Sequence, residues 1–209
     1  MTSFHPLRSR FYAIVDSSAA RNPVDLARIL LDSGVRMLQL RLKAVPTRDF
    51  LESARAIAQM CRDSNALFIV NDRVDIAILA AADGVHLGQD DLPLEAARGL
   101  LGPGRIVGLS THSVEQATAA QAAGADYIGF GPMYPGGAKR TLVGQGVEAL
   151  RKVRAAVRIP IVAIGGITEA RMAETIQAGA DSAAIISDVL NAPDIQAKVR
   201  RILAIGSDA

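Results

Sequence analysis

Residues 37–43 read Met37-Leu38-Gln39-Leu40-Arg41-Leu42-Lys43. An apolar run of this length reads as a β-strand. Side chains alternate faces along a strand, so Gln39, Arg41 and Lys43 share one face and Leu38, Leu40 and Leu42 the other. With both faces covered, an amide and two cations line one interior surface. Burying one unpaired charge costs on the order of several kcal/mol. Salt bridges near a strand end would meet that cost, and so would an anionic ligand. The stretch alone leaves both readings open.

Outward from it, strand-like and helix-like segments alternate. Apolar runs at 11–16, 37–43, 67–72, 84–88, 105–110, 127–131, 159–165 and 182–187 read as strands. Amphipathic segments at 24–33, 47–62, 73–81, 94–101, 113–123, 147–157, 168–178 and 193–204 read as helices. Asn22-Pro23 opens the first helix and Gly34 closes it, as caps and stops should. Thr47 is the expected cap of the second. Ser113 with Gln116 forms a capping box, and Gly124 ends that helix. The strands are continuous apolar runs rich in Ile and Val, as parallel strands covered on both faces are.

Eight βα units in 209 residues predict an α/β protein, a single-domain (β/α)8 TIM barrel over 1–209, with 1–10 an N-terminal extension. A doubly wound sheet would show glycines after its first strand; here Ser17-Ser18-Ala19-Ala20 follows Asp16. Ala-Gly-Ala-Asp occurs at 123–126 and 178–181, with Ala-Ala-Asp-Gly at 81–84. This repeat marks the turn from helix into strand and reads as stabilising architecture.

Composition excludes several functions. A net charge of +2 gives no basic surplus for a polyanion. Aromatic content of 4% with no Trp leaves no base-stacking platform. Cys61 is the only cysteine, so the chain forms no internal disulfide, and its helical setting reads as core. No run approaches the ~18 apolar residues of a membrane span. Residues 1–10, with His5, Pro6, Arg8 and Arg10, lack the apolar centre of a secretory signal. The expected location is the cytoplasm. The expected partners are small phosphorylated molecules, with neither nucleic acid nor membrane, in a monomer or a homo-oligomer.

In a barrel of this type the site lies at the C-terminal strand ends. Those ends carry Arg41 and Lys43, Asn71 and Asp72, Gln89 to Asp91, Ser110 and His112, Lys139 and Arg140, Gly165 and Gly166, and Ser187. Arg41, Lys43 and Lys139 suit phosphate oxygens. Asp72 and Asp91 are hard oxygen donors of the type Mg2+ takes, one or two at a time, beside water and phosphate. Each aspartate could instead cap the helix that follows it. Gly165-Gly166 with Ser187 would form a second phosphate site after strands seven and eight, or the glycines merely make a tight turn. His112 reads as a proton shuttle or a polar loop residue near a cap. His86, inside a strand, reads as a satisfied structural histidine. No Ser/His/Asp set and no zinc-ligand spacing is present.

Six segments, in order, resemble the thiamine phosphate synthase (thiamine-phosphate pyrophosphorylase) family. They are Gln-Leu-Arg-Leu-Lys at 39–43, Val-Asn-Asp-Arg-Val-Asp at 70–75, and Gly-Val-His-Leu-Gly-Gln-Asp-Asp at 84–91. Gly-Leu-Ser-Thr-His at 108–112, Ile-Gly-Phe-Gly-Pro-Met-Tyr-Pro at 128–135 and Ala-Ile-Gly-Gly-Ile at 163–167 complete the set. The resemblance implies a transferase joining 4-amino-5-hydroxymethyl-2-methylpyrimidine diphosphate to a thiazole phosphate, with Mg2+ as cofactor. It implies that Gln39, Leu40, Arg41, Leu42, Lys43, Asn71, Ser110 and Lys139 hold the pyrimidine diphosphate. Arg41, Lys43, Ser110 and Lys139 would act in catalysis, and Asp72 and Asp91 would hold the metal. Gly166, Ile186 and Ser187 would hold the thiazole phosphate.

One departure stands out. The family's Tyr-Pro-Thr-x-Thr-Lys reads here Tyr134-Pro135-Gly136-Gly137-Ala138-Lys139. Both threonine hydroxyls are missing. The expectation is that backbone N–H groups of Gly136, Gly137 and Ala138 form an anion-binding nest instead, on a loop with the hinge freedom of a lid. Two rival readings are a thiazole tautomerase of similar fold, which uses a histidine at the place of His112 and lacks the metal and diphosphate residues, and a non-catalytic barrel that binds thiamine intermediates.

Overall fold

The computed structural model describes residues 9–19, 21–135 and 144–205. Its strands are β1 (Phe11–Asp16), β2 (Met37–Arg41), β3 (Leu67–Asn71), β4 (Gly84–Leu87), β5 (Ile106–Thr111), β6 (Tyr127–Phe130), β7 (Ile161–Ile164) and β8 (Ser182–Ala184). They pair in parallel and in order, and β8 returns to β1 to close the barrel. Between them run α1 (Pro23–Asp32), α2 (Thr47–Asp63), α3 (Val74–Leu79), α4 (Leu94–Leu101), α5 (Val114–Ala122), α6 (Gly146–Ala156) and α7 (Glu169–Gln177). A one-turn α8 (Ser187–Leu190) and the longer α9 (Ile195–Ile205) follow β8.

Burial explains the continuous apolar strands. Leu38, Leu40, Val70 and Val85 face outward into the layer shared with the helices. Ile14, Met37, Ile69, Ile106 and Val162 face inward and fill the barrel. Each fully buried aliphatic side chain contributes about 1.5–3 kcal/mol. Cys61 is buried, and burial pushes its thiol up to about 12, so it is an inert core residue.

The repeated Asp motif works at the opposite end from the site. Asp83 accepts from the Phe68 N–H, Asp126 from Val107 and Asp181 from Ile161, each carboxylate tying its own strand's entrance to the preceding strand. Arg98 and Arg154 brace the second and third. Among the described residues, five helices end in one pattern. The residue after the cap turns left-handed, at Gly34 (φ 101°), Asn65 (φ 51°), Ala81 (φ 53°), Gly124 (φ 84°) and Gly179 (φ 112°). In α3, Ala81 donates to the Ile78 carbonyl and Ala82 to that of Ala77, the Schellman pattern.

Element ends depart from expectation where caps or prolines intervene. Thr47 is the first residue of α2, because Pro46 takes the cap position. β2 stops at Arg41, so Lys43 lies in the following turn. β8 stops at Ala184, and Ser187 opens α8 instead of ending a strand. Asn22 caps α1 and Ser113 caps α5 as read from the sequence.

Candidate active site

The inward parity of β2 carries Gln39 into the barrel, 3% exposed, and Arg41 to its mouth. Leu40 and Leu42 point into the outer apolar layer, so only their backbone can face a ligand. The two cations are paired from outside. Asp16, at the end of β1, accepts from Arg41 Nη1 at 2.5 Å and from the Ser18 N–H at 2.8 Å. Burial pushes the Asp16 carboxyl up, but the Ser18 contacts and Arg41 outweigh it and hold it below its ordinary value. Lys43 donates to Asp72. The salt-bridge reading of Arg41 and Lys43 therefore holds, yet both partners sit at the rim where a ligand would arrive.

Asp72 is not a helix cap. Arg73 takes that position before α3, and Asp72 turns left-handed (φ 62°) so that its carboxylate meets Lys43 and Asp91. Burial raises its pKa, Asp91 raises it further, and Lys43 offsets only part of this. Asp91 is not a cap either. Pro93 precedes α4, and Asp91 Oδ2 accepts from the Gly88 N–H at 2.7 Å, fixing the turn after β4.

Two neighbouring carboxylates, one with a raised pKa, make a place where a cation is favoured. Among the described residues no cluster of three or more His, Cys, Asp or Glu ligands occurs. The donor set fits Mg2+, which completes its shell with water and phosphate oxygens, and not a fully protein-ligated zinc.

Asn71 faces inward beside His86, 8% exposed, and its side chain bonds to no other described residue. Ser110 Oγ meets His86 Nε2 at 2.9 Å, while Gln89 binds the Ser110 carbonyl. His86 is indeed satisfied, with Nδ1 2.9 Å from Tyr127 OH; burial lowers its pKa to about 4, so its ring is neutral. Tyr12 and Tyr127 extend this chain to Gln39. The sequence reading missed both tyrosines, although their positions match the inward parity of Ile14 and Gln39. His112 Nδ1 contacts the Gly131 carbonyl at 2.7 Å, and its N–H donates to Gln116. It braces the start of the β6–α6 loop.

Beyond β7, Gly165 (φ 97°) and Gly166 (φ 68°) are left-handed. They pack under that same loop: a Cβ on Gly166 would lie 2.6 Å from the Tyr134 carbonyl oxygen. Tyr134 donates its N–H to Gly165, and Arg171 stacks on the Tyr134 ring at 4.4 Å while bonding the Gly166 carbonyl. The tight-turn reading is therefore true, but the Gly166 N–H has no acceptor among the described residues. Ser187 is held nearby, because the neighbouring Asp188 accepts from the Glu169 N–H at the start of α7 and pairs with Lys198. A cavity beside Ser187 is also lined by Lys198 and Arg201. Glu169 and Asp188 pair with those two cations. Lys139, Gly136, Gly137 and Ala138 lie outside the described residues. The ends of their loop are pinned, with Gln145 bonded to Gly131 and Pro132.

The site's composition can be set against known proteins. The family model described as thiamine monophosphate synthase matches residues 11–189. A thiamine-phosphate synthase of Methanoculleus marisnigri is 46% identical over 194 residues, spanning 91% of this chain and 92% of that protein. One from Moorella thermoacetica is 46% identical over 183 residues, 87% of each. The solved thiamine phosphate pyrophosphorylase of Pyrococcus furiosus superposes with a TM-score of 0.87 at 36% identity, covering 95% of this chain and 96% of that one. With an eight-stranded closed barrel and similarity along nearly its whole length, this chain is a transferase belonging to the thiamine monophosphate synthase family.

Proposed function

We propose that the barrel mouth joins 4-amino-5-hydroxymethyl-2-methylpyrimidine diphosphate to a thiazole phosphate, releasing diphosphate, with Mg2+ held by Asp72 and Asp91. One observation carries the reading: Arg41, Lys43, Asp72 and Asp91 meet at one rim, cations facing carboxylates. Such a mixed set suits a diphosphate accompanied by a divalent cation better than either alone. The metal, when bound, would neutralise negative charge growing on the leaving diphosphate.

Arg41 and Lys43 would bind the same oxygens, with Lys139 closing from the β6–α6 loop. Their contribution is larger in the transition state than in the ground state, because leaving-group charge grows as the bond breaks. Gln39, Asn71 and Ser110 would orient the pyrimidine so that its methylene carbon faces the thiazole nitrogen. That nitrogen attacks with its lone pair and has no proton to lose, consistent with the lack of an obvious general base. Gly166, Ile186 and Ser187 would hold the thiazole phosphate, supplemented by N–H groups of Gly136, Gly137 and Ala138. We further place the reaction in the cytoplasm, in keeping with its small phosphorylated substrates.

Arg41→Ala tests the assignment. Turnover should fall at least about a hundredfold, with the far-ultraviolet circular dichroism spectrum unchanged. Unfolding, with normal activity in the folded fraction, would make Arg41 structural.

A further inference from the structure

TIM-barrel interiors are ordinarily filled by branched aliphatic side chains. Here five polar side chains cross the interior. Gln39 Nε2 donates to Tyr12 OH at 3.0 Å, Tyr12 OH lies 2.9 Å from Tyr127 OH, and Tyr127 OH lies 2.9 Å from His86 Nδ1. His86 Nε2 reaches Ser110 Oγ at 2.9 Å. Tyr12 and Tyr127 are 1% and 0% exposed. Space is carved for them: a Cβ on Gly108 would lie 2.2 Å from Tyr127 Cζ, and one on Gly129 would lie 3.1 Å from His86 Cε1.

Proton counting constrains the chain. Each phenol has one proton, and so does a neutral imidazole. With the Gln39 amide nitrogen donating to Tyr12, Tyr12 donates to Tyr127 and Tyr127 to His86 Nδ1. His86 Nε2–H then donates to Ser110 Oγ, and the Ser110 proton is left for the mouth. Gln39 keeps its carbonyl oxygen free. Turning the Gln39 amide over reverses every bond and consumes the Ser110 proton on His86. The two ends are thus coupled: a free acceptor at Gln39 goes with a free donor at Ser110.

We propose that Tyr12, Tyr127 and His86 form a positioning relay that couples the polarity of Gln39 to that of Ser110 and thereby favours a 4-aminopyrimidine over its 4-oxo counterpart. The inference rests on the proposed function. An aminopyrimidine offers an amino donor beside a ring-nitrogen acceptor. The 4-oxo ring offers the reverse, a carbonyl acceptor beside a ring N–H donor. The carbonyl of Gln39 and the hydroxyl proton of Ser110 complement the first pattern, and accepting the second requires the whole chain to invert. Recognition through buried, fixed hydrogen-bonding groups is the kind that discriminates strongly.

Tyr127→Phe removes the central hydroxyl and keeps the ring. Tyr12→Phe breaks the chain nearer Gln39 and serves if the first variant does not fold. Each is assayed with thiazole phosphate and with the 4-amino or 4-oxo pyrimidine diphosphate, and affinity for both diphosphates is measured by calorimetry. The wild type should prefer the amino substrate, and the preference should fall at least about tenfold in a folded variant, with the KM for thiazole phosphate unchanged. An unchanged preference, whether both rates fall together or neither falls, overturns the relay while leaving the synthase reading intact. A wild type that makes no thiamine phosphate from the amino substrate overturns both.

Discussion

Asp16 Oδ2 and Arg41 Nη1 stand 2.5 Å apart across the paired ends of β1 and β2. Arg41 is thereby held at the rim by a carboxylate that is itself 7% exposed. In the proposed reaction its remaining donors would serve the diphosphate. On the proposed reading, Asp16 would act on the reaction through Arg41, without contact with substrate.

Asp16→Asn should raise the KM for the pyrimidine diphosphate about tenfold and cost about 1–3 kcal/mol of stability. Its native pKa lies below the ordinary value. Its contribution is therefore present above the unfolded pKa of about 3.9 and is lost as pH falls through the lower native value. Acid titrations followed by circular dichroism should show a shallower loss of stability for the variant below about pH 4 than for the wild type.

Asp72 has the opposite sign. Burial and Asp91 raise its pKa, so ionisation at neutral pH works against folding. Its partner Lys43 is largely exposed, and an exposed pair returns little. Asparagine also tolerates the left-handed backbone found there. Asp72→Asn should raise the melting temperature of the metal-free protein by about 1–3 °C while abolishing the response of turnover to Mg2+. A lower melting temperature would show that the Lys43 pair outweighs the burial cost.

Ala81 occupies the left-handed position that glycine fills after α1, α5 and α7. It is exposed, so a change there disturbs no packing. Ala81→Gly should stabilise the protein by about 0.5–1 kcal/mol, seen as a higher urea midpoint with unchanged kcat.

Asp181 ties β8's entrance to β7 and pairs with Arg154, at the end of the barrel away from the mouth. Asp181→Ala leaves the Ile161 N–H without its partner and should cost about 1–3 kcal/mol. Because that face serves stability and the other serves chemistry, kcat and KM should not change at a temperature where the variant is folded.

The barrel was legible because each strand is a continuous apolar run and each helix has a start or stop signal. Asn22, Ser113 and Gly124 act as read. Strand ends were less legible, because a closing barrel truncates β8 while local sequence does not signal where. The rim residues could be listed from parity, since Gln39 and Arg41 alternate with Leu38 and Leu40. Their partners could not: Asp16 and Arg41 are joined only by strand pairing. Asp72 and Asp91 carried two local meanings, and only the turn geometry removes the capping one. Tyr12 and Tyr127 looked like ordinary core aromatics, because nothing local shows that two hydroxyls more than a hundred residues apart meet inside a barrel.

The most direct test mixes the protein with the pyrimidine diphosphate and the thiazole phosphate, with Mg2+ or with chelator, and measures thiamine phosphate and diphosphate together. Equal amounts of both products, formed only when both substrates and Mg2+ are present, are expected. Isomerisation of a carboxythiazole phosphate without metal, or tight binding of both substrates without turnover, would contradict the proposed function.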